Sequence, residues 1–370
     1  MLYRYGPSTK KGKRVKIATI YKEGEHTIDN TKIIGEVVFI ISKLKVAGFE
    51  SYLVGGAVRD LLLKKTPKDF DIATAATPNQ IKTIFPNSRI IGRRFQICHL
   101  FFPSTKRLIE ISTFRSSQSQ NFINEYGSIY EDAFRRDFTI NALYYCPLSK
   151  RLYDYVDALS DFKKHIIRSI IDLENSFILD PVRMIRAIKY SVKLNFKMQR
   201  HLVAAIKRDA HCLKTVPISR LVEEFFKIIS SSNCYQIVSQ LIKFNLFHHF
   251  FPNLLSLLKT DSKLLLAFYK QLQELDELLN AKVSLSKSQQ LVFFFKVFIS
   301  LDKKDSDNLS ELRTNLFSQI KQLATPLTLP NHEITRSAEI IMQERGFPLP
   351  KRRSTYKRRS SASAKLMNNI

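Results

Sequence analysis

The chain has 370 residues, of which 44% are hydrophobic and 11% aromatic, enough for a sizeable core and too many for wholesale disorder. Lysine and arginine number 59 against 33 acidic residues, and the formal charge of +26 points to a polyanionic partner, nucleic acid above all. No apolar run approaches the roughly 18 residues of a membrane span, and four scattered cysteines (Cys98, Cys146, Cys212, Cys234) form neither a CxxC pair nor a metal spacing, which suits a reducing, cytoplasmic setting rather than disulfides or zinc.

Residues 1–22 carry seven basic side chains and no acid, and the opening stretch lacks the apolar run of a secretory signal, so residues 1–30 read as a basic arm. A head over 31–150 mixes both kinds of element. Lys32–Ala47, Ala57–Leu63 and Pro78–Phe85 have helical periodicity, whereas Ser51–Val54, Phe70–Ala73, Arg89–Gly92, Ile97–Phe102 and Leu108–Phe114 read as strands. Ser116–Glu125 is polar and reads as a loop. Nine of ten glycines lie at or before Gly127, and 128–345 contains none. That stretch reads as helices on short links: a neck over 151–230 and a body over 231–345, with Pro181–Leu194, Ile218–Ser230, Tyr235–Phe244, Lys263–Leu279 and Ser288–Ile299 as helices. Phe244–Phe251 reads as helix packing. Residues 346–370 read as a basic, disordered tail, with seven basic residues and no acid over 351–370. The fold class is therefore an α+β head, a small mixed sheet with helices, followed by an all-α neck and body.

Chemistry concentrates in the head. In Leu53-Val54-Gly55-Gly56-Ala57-Val58-Arg59-Asp60 a strand runs through two glycines into a helix, a turn that lets backbone N–H groups approach a phosphate and lets Arg59 reach the same anion. By itself such a turn is also a plain strand–helix connection. Asp69 and Asp71 follow at i and i+2, so both point to one face of a strand, where paired oxygen ligands suit Mg²⁺; a solvent-facing polar edge has the same pattern. A third carboxylate has two candidates. Glu110 lies mid-strand in Leu108-Ile109-Glu110-Ile111, where a charge is costly unless paired or metal-bound, or else faces outward. Asp137 lies in Arg135-Arg136-Asp137-Phe138-Thr139-Ile140-Asn141 and could instead be a structural ion pair with the arginines. Asp180-Pro181 is a routine helix start, Asp as N-cap, but that does not account for Arg183 and Arg186, one turn apart on the same face.

Taken in order, Gly55-Gly56-x-x-Arg59-Asp60, Asp69-x-Asp71, Arg135-Arg136-Asp137-Phe138-Thr139-x-Asn141 and Asp180-Pro181-Val182-Arg183-x-x-Arg186 resemble the signature of the class II nucleotidyltransferase family, the bacterial poly(A) polymerases and tRNA CCA-adding enzymes. The resemblance runs over roughly residues 25–255. Ile90-Ile91-Gly92-Arg93-Arg94-Phe95-x-Ile97-x-His99 resembles the poly(A) polymerase branch. It implies Asp69 and Asp71 as ligands of two Mg²⁺ ions and Asp137 and Glu110 as acidic positions of the site. Gly55, Gly56, Arg59 and Arg136 would bind the phosphates and ribose; Asp180, Arg183 and Arg186 would also bind the nucleotide, with Asp180 and Arg183 reading the edge of the incoming base. The implied activity is template-independent addition of AMP from ATP to RNA 3′ ends, with CCA addition to tRNA as the alternative and a catalytically decayed RNA-binding protein as a third reading. His99 is assigned no catalytic role. Two departures stand out. Leu179 replaces the family's Glu before Asp180, and Asp154-Tyr155-Val156-Asp157-Ala158 lacks the glycines of the head–neck hinge, a loss expected to stiffen that joint.

Overall fold

The computed structural model describes residues 1–6, 15–92, 96–116, 126–300 and 308–349. Residues 1–216 with 239–246 form one compact unit, and residues 217–238 with those from 247 onward form another.

The first unit is built on a nine-stranded sheet. Its strands are β1 (Leu2–Gly6), β2 (Val15–Tyr21), β3 (Ser51–Val54), β4 (Asp71–Thr74), β5 (Arg89–Ile91), β6 (Ile97–Phe102), β7 (Arg107–Thr113), β8 (Leu143–Cys146) and β9 (Arg151–Asp154). They stand in the order β1-β2-β9-β8-β3-β4-β7-β6-β5. The β4–β7 pair is parallel and its neighbours antiparallel. Helices α1 (Gly35–Val46), α2 (Gly56–Leu62), α3 (Pro78–Ile84) and α4 (Ile129–Phe134) accompany it. The ends of α3 and α4 are fixed by the sequence. Thr77 with Gln80, and Ser128 with Glu131, make reciprocal capping boxes.

Two features depart from the sequence reading. The basic arm is no free arm in its described part, because β1 and β2 join the sheet, Thr19 pairing with Asp154 and Arg4 donating to Tyr155 Oη at 2.9 Å. The sheet also runs past residue 150. The hairpin β8–β9 lies inside the glycine-free stretch read as helical, and Leu143–Cys146 is buried throughout, so it shows no alternation by which to recognise a strand. The stretch 117–125, Arg93-Arg94-Phe95 and the tail from 350 lie outside the described residues.

After β9 come α5 (Ala158–Lys163), α6 (Ser176–Leu179), α7 (Val182–Leu194) and α8 (Arg200–Asp209). The joint lacking glycine is organised by Asp154, whose two oxygens accept from the N–H groups of Val156, Ala158 and Leu159 at 3.1, 2.9 and 2.9 Å. Asp157 takes a left-handed φ of 58°, a conformation that favours glycine but that aspartate tolerates better than most residues.

The second unit contains α9 (Ile218–Ile229), α11 (Pro252–Thr260), α12 (Ser262–Asn280), α13 (Lys287–Phe295), α14 (Leu309–Ala324) and α15 (Asn331–Glu344); α10 (Cys234–Lys243) begins in it. Its core is aromatic. Phe225 lies 4.9 Å from both Phe251 and Phe294, and Phe268 lies 5.2 Å from Phe294. Phe247, Phe250 and Phe251 are buried in packing. Among the described residues no helix is long and apolar enough to cross a membrane.

Asp276 on α12 clamps the start of α10, accepting from the N–H groups of Cys234 at 2.7 Å and Tyr235 at 3.0 Å. Replacing it with alanine removes both acceptors and should cost about 1–2 kcal/mol. Burial pushes this carboxyl up to about 6, against its two N–H donors, which pull it down. The folded state therefore holds the proton more tightly, and stability from this group is present near pH 4 and lost as pH rises through 6. The melting temperature of Asp276→Asn relative to the parent should be more favourable at pH 7 than at pH 4.5; a difference independent of pH would contradict this.

Candidate active site

The strand β3 delivers the chain to Gly55, whose φ of 66° is left-handed. A side chain there would stand 3.7 Å from Asp71 Oδ2 and 3.9 Å from Arg136 Nη1, so the turn lies directly against a carboxylate and a guanidinium. At Gly56 it would meet Arg59 Nη2 at 3.4 Å.

Asp71 opens β4, opposite Val54 on one side and Glu110 of the parallel strand β7 on the other. Asp69 precedes the strand and is exposed. Burial, then the charges of Glu110 and Asp69, push the Asp71 carboxyl up to about 6, with Arg136 opposing. Glu110 also faces His99 of β6, whose Nε2 is 3.2 Å from Glu110 Oε1. Glu110 is thus brought to Asp71 by long-range strand pairing.

Asp137 belongs to another network. Its Oδ1 accepts from the Phe138 N–H at 2.8 Å and Asn141 Nδ2 at 3.0 Å, and Oδ2 stands 2.8 Å from Arg186 Nη2. Asn141 Oδ1 in turn accepts from the buried Arg59 Nη1 at 2.6 Å. Asp137 therefore ties Arg186 of α7 and, through Asn141, Arg59 of α2 into one arrangement. Its partner is not the neighbouring arginines of its own motif.

Arg136 is held by residues that the sequence reading left unassigned. Asp132 Oδ2 accepts from Arg136 Nη2 at 2.9 Å, Arg136 Nε at 3.2 Å and Tyr144 Oη at 2.6 Å. Burial alone would raise the Asp132 carboxyl, but the Arg136 charge and the Tyr144 hydroxyl hold it below the usual range. Arg136 Nη1 also donates to the Asn141 carbonyl at 3.0 Å. Asp132 sits one helical turn before Arg136, a spacing from which the pair could have been read.

Helix α7 begins one residue later than the cap at Asp180 implied. Pro181 holds the N-cap position, and the Asp180 carbonyl accepts from the Arg183 N–H at 3.1 Å. Arg183 Nη1 donates to the Ser176 carbonyl of α6 at 2.9 Å, and Arg186 Nη2 to Tyr190 Oη at 3.3 Å. The arginines are oriented by specific partners on α6, α7 and the Asp137 loop.

Among the described residues no group of three or more His, Cys, Asp or Glu side chains could hold a metal ion by itself. The donor chemistry still fits a hard divalent cation. Asp69, Asp71 and Glu110 are oxygen donors that repel one another, and a cation would relieve that repulsion with its remaining ligands drawn from a phosphate or water.

Two segments of the chain match known family models. Residues 51–168 match the poly A polymerase head domain, and residues 195–258 match the probable RNA and SrmB-binding site of polymerase A. Poly(A) polymerase I of Salmonella typhimurium is 40% identical over 252 residues, covering 64% of this chain and 54% of that protein. The CCA-adding enzyme of Staphylococcus haemolyticus is 32% identical over 227 residues, covering 59% and 56%. The chain thus spans about half the length of these curated relatives. A crystal structure of the Bacillus stearothermophilus CCA-adding enzyme in complex with CTP matches with a TM-score of 0.58 at 22% identity, over 84% of this chain and 82% of that one. A tRNA nucleotidyltransferase complexed with a primer tRNA and an incoming ATP analogue matches at 0.60 and 23%, over 83% and 84%; these two likenesses show the fold. With its ordered motifs, its sheet and its head and RNA-binding segments matched in turn, the chain is similar to the class II nucleotidyltransferase family of poly(A) polymerases and CCA-adding enzymes.

Proposed function

We propose that this chain adds AMP from ATP to RNA 3′ ends without a template, releasing pyrophosphate. The observation that carries the reading is the crowding of Asp71 by Glu110 and Asp69 against the Gly55 turn, which makes a seat for a cation and a triphosphate at one point. The higher identity to poly(A) polymerase I than to the CCA-adding enzyme favours ATP as the nucleotide.

Asp69 and Asp71 would hold Mg²⁺, which when bound lowers the pKa of the attacking 3′-OH and offsets charge on the α-phosphate and the leaving pyrophosphate. The chain's own work is positioning and electrostatics. The bare backbone at Gly55 and Gly56 allows a phosphate to approach, and Arg136, fixed by Asp132 and Tyr144, aims a permanent positive charge at it. Arg59 is held by Asn141 at the start of α2, close to the same turn. Asp180, Arg183 and Arg186 would present an acceptor beside donor forks to the edge of the incoming base, replacing a template strand. Retention of both carboxylates and all four arginines speaks against a decayed RNA-binding protein, despite Leu179 at the position before Asp180.

A single-nucleotide incorporation assay with Mg²⁺, a short RNA and each NTP in turn tests this. ATP alone should extend the primer. Selective CTP incorporation at tRNA ends would establish CCA addition instead, and no incorporation of any nucleotide would overturn the enzymatic reading.

A further inference from the structure

Four polar side chains form a row across adjacent strands. Arg89 of β5 pairs with His99 of β6, His99 with Glu110 of β7, and Glu110 with Asp71 of β4. Directly paired residues share a face of a sheet, so the row runs outward from the proposed cation seat to the β5 edge of the sheet. The next pair along that face is Phe101 and Leu108, 51% and 49% exposed. Their intervening neighbours Cys98, Leu100, Ile109 and Ile111 point the other way and are buried. β6 and β7 therefore have one covered face and one open face, β5 at the edge is exposed on both, and the open face is continuous with Asp71.

We propose that this open face of β5, β6 and β7 seats the last nucleotides of the single-stranded RNA being extended. Phe101 offers a stacking platform for a base, Arg89 and His99 face the backbone phosphates, and His99 acts as a positioning residue for Glu110. The inference rests on the nucleotidyl-transfer reading above and adds to it the place and direction of the primer.

The chemistry of the row sets that direction. Carboxylates at one end suit a terminal hydroxyl, to which they can offer acceptors; nitrogen donors at the other end suit phosphates. An exposed aromatic ring beside cationic side chains on an open sheet is how single strands are held without sequence readout, because every base has a π-face. The exposed apolar part, Phe101 and Leu108 on one side of the row and Ile91 on the other, is divided by the charged side chains of the row itself. That is too little for a docking helix and enough for one or two bases. His99 Nε2 is buried, at ion-pair distance from Glu110 but without an aligned hydrogen bond. It can swing Glu110 toward a bound hydroxyl without first breaking a good bond.

The test measures steady-state single-AMP addition to a twelve-nucleotide RNA, with equilibrium binding of the same labelled RNA by fluorescence anisotropy. Truncating a stacking residue should weaken the primer at least about fivefold. Phe101→Ala should therefore raise the primer KM and the anisotropy Kd together, leaving the ATP KM within twofold. Arg89→Ala should weaken primer binding and flatten its salt dependence. His99→Ala should raise the primer KM and lower kcat, and His99→Gln, which keeps a side-chain donor, should recover most of both. Unchanged primer binding in Phe101→Ala, or a Gln variant no better than Ala, would overturn the inference. Phe101 and Arg89 are exposed, so their variants keep the test valid if His99→Ala fails to fold. A parent chain that binds the RNA in a Phe101-dependent way yet adds no nucleotide would overturn the functional reading while supporting this surface.

Discussion

Replacing Asp71 with alanine is expected to lower nucleotide addition by about a thousandfold or more while leaving RNA affinity within about twofold. Asp71 is the point where three arguments meet. It opens a central strand, it lies across from Glu110 in register, and it stands against the Gly55 turn. Removing it would take away an oxygen donor of the proposed cation seat and leave the basic side chains of the chain untouched. The same change has an opposite effect on stability. Burial, Glu110 and Asp69 push the carboxyl up to about 6, so in the absence of a cation its ionisation costs stability as pH rises from about 4 through 6. Asp71→Asn should therefore melt higher than the parent at pH 7 in chelator and about level with it at pH 4. An inactive variant that is also less stable at pH 7 would mean that this carboxylate holds the fold together rather than serving chemistry.

Asp137→Ala is expected to destabilise the first unit by about 2–4 kcal/mol, because it strips acceptors from a buried amide and a guanidinium at once. Its carboxylate accepts from the Phe138 N–H and Asn141 and pairs with Arg186, and Asn141 carries the constraint on to Arg59. Activity should fall with it, through loss of both arginines' alignment. Asp137→Asn, which keeps one acceptor oxygen, should fall between the parent and the alanine variant. Urea denaturation measures the loss; a change under 1 kcal/mol would show that the network is dispensable for the fold.

Local pattern carried much of the architecture. Ser51–Val54 and Ile97–Phe102 emerge with the expected limits, and α7, α9, α10 and α12 follow their apolar spacing to within a residue, whereas the helix expected over Ser288–Ile299 ends at Phe295. What failed was legible only through tertiary context. The strands β1 and β2 are hidden in a sequence dominated by charge, and β8 is buried on both faces and cannot alternate. The site divides the same way. The Gly-Gly turn and the Asp69–Asp71 pair lie in adjacent segments and could be read together. The pairing of Asp71 with Glu110 depends on a parallel register between strands some forty residues apart, which no spacing encodes. The Asp132–Arg136–Tyr144 cluster was half readable: the i, i+4 pair is local, whereas Tyr144 reaches it through the sheet.

The most direct measurement follows ATP consumption, AMP transfer to RNA and pyrophosphate release together, in the parent chain and in Asp71→Ala, with Mg²⁺ and after chelation. One pyrophosphate should appear for each AMP added, and both should vanish on chelation or in the variant. Addition that persists in Asp71→Ala, or that proceeds without a divalent ion, would contradict the assignment of these carboxylates.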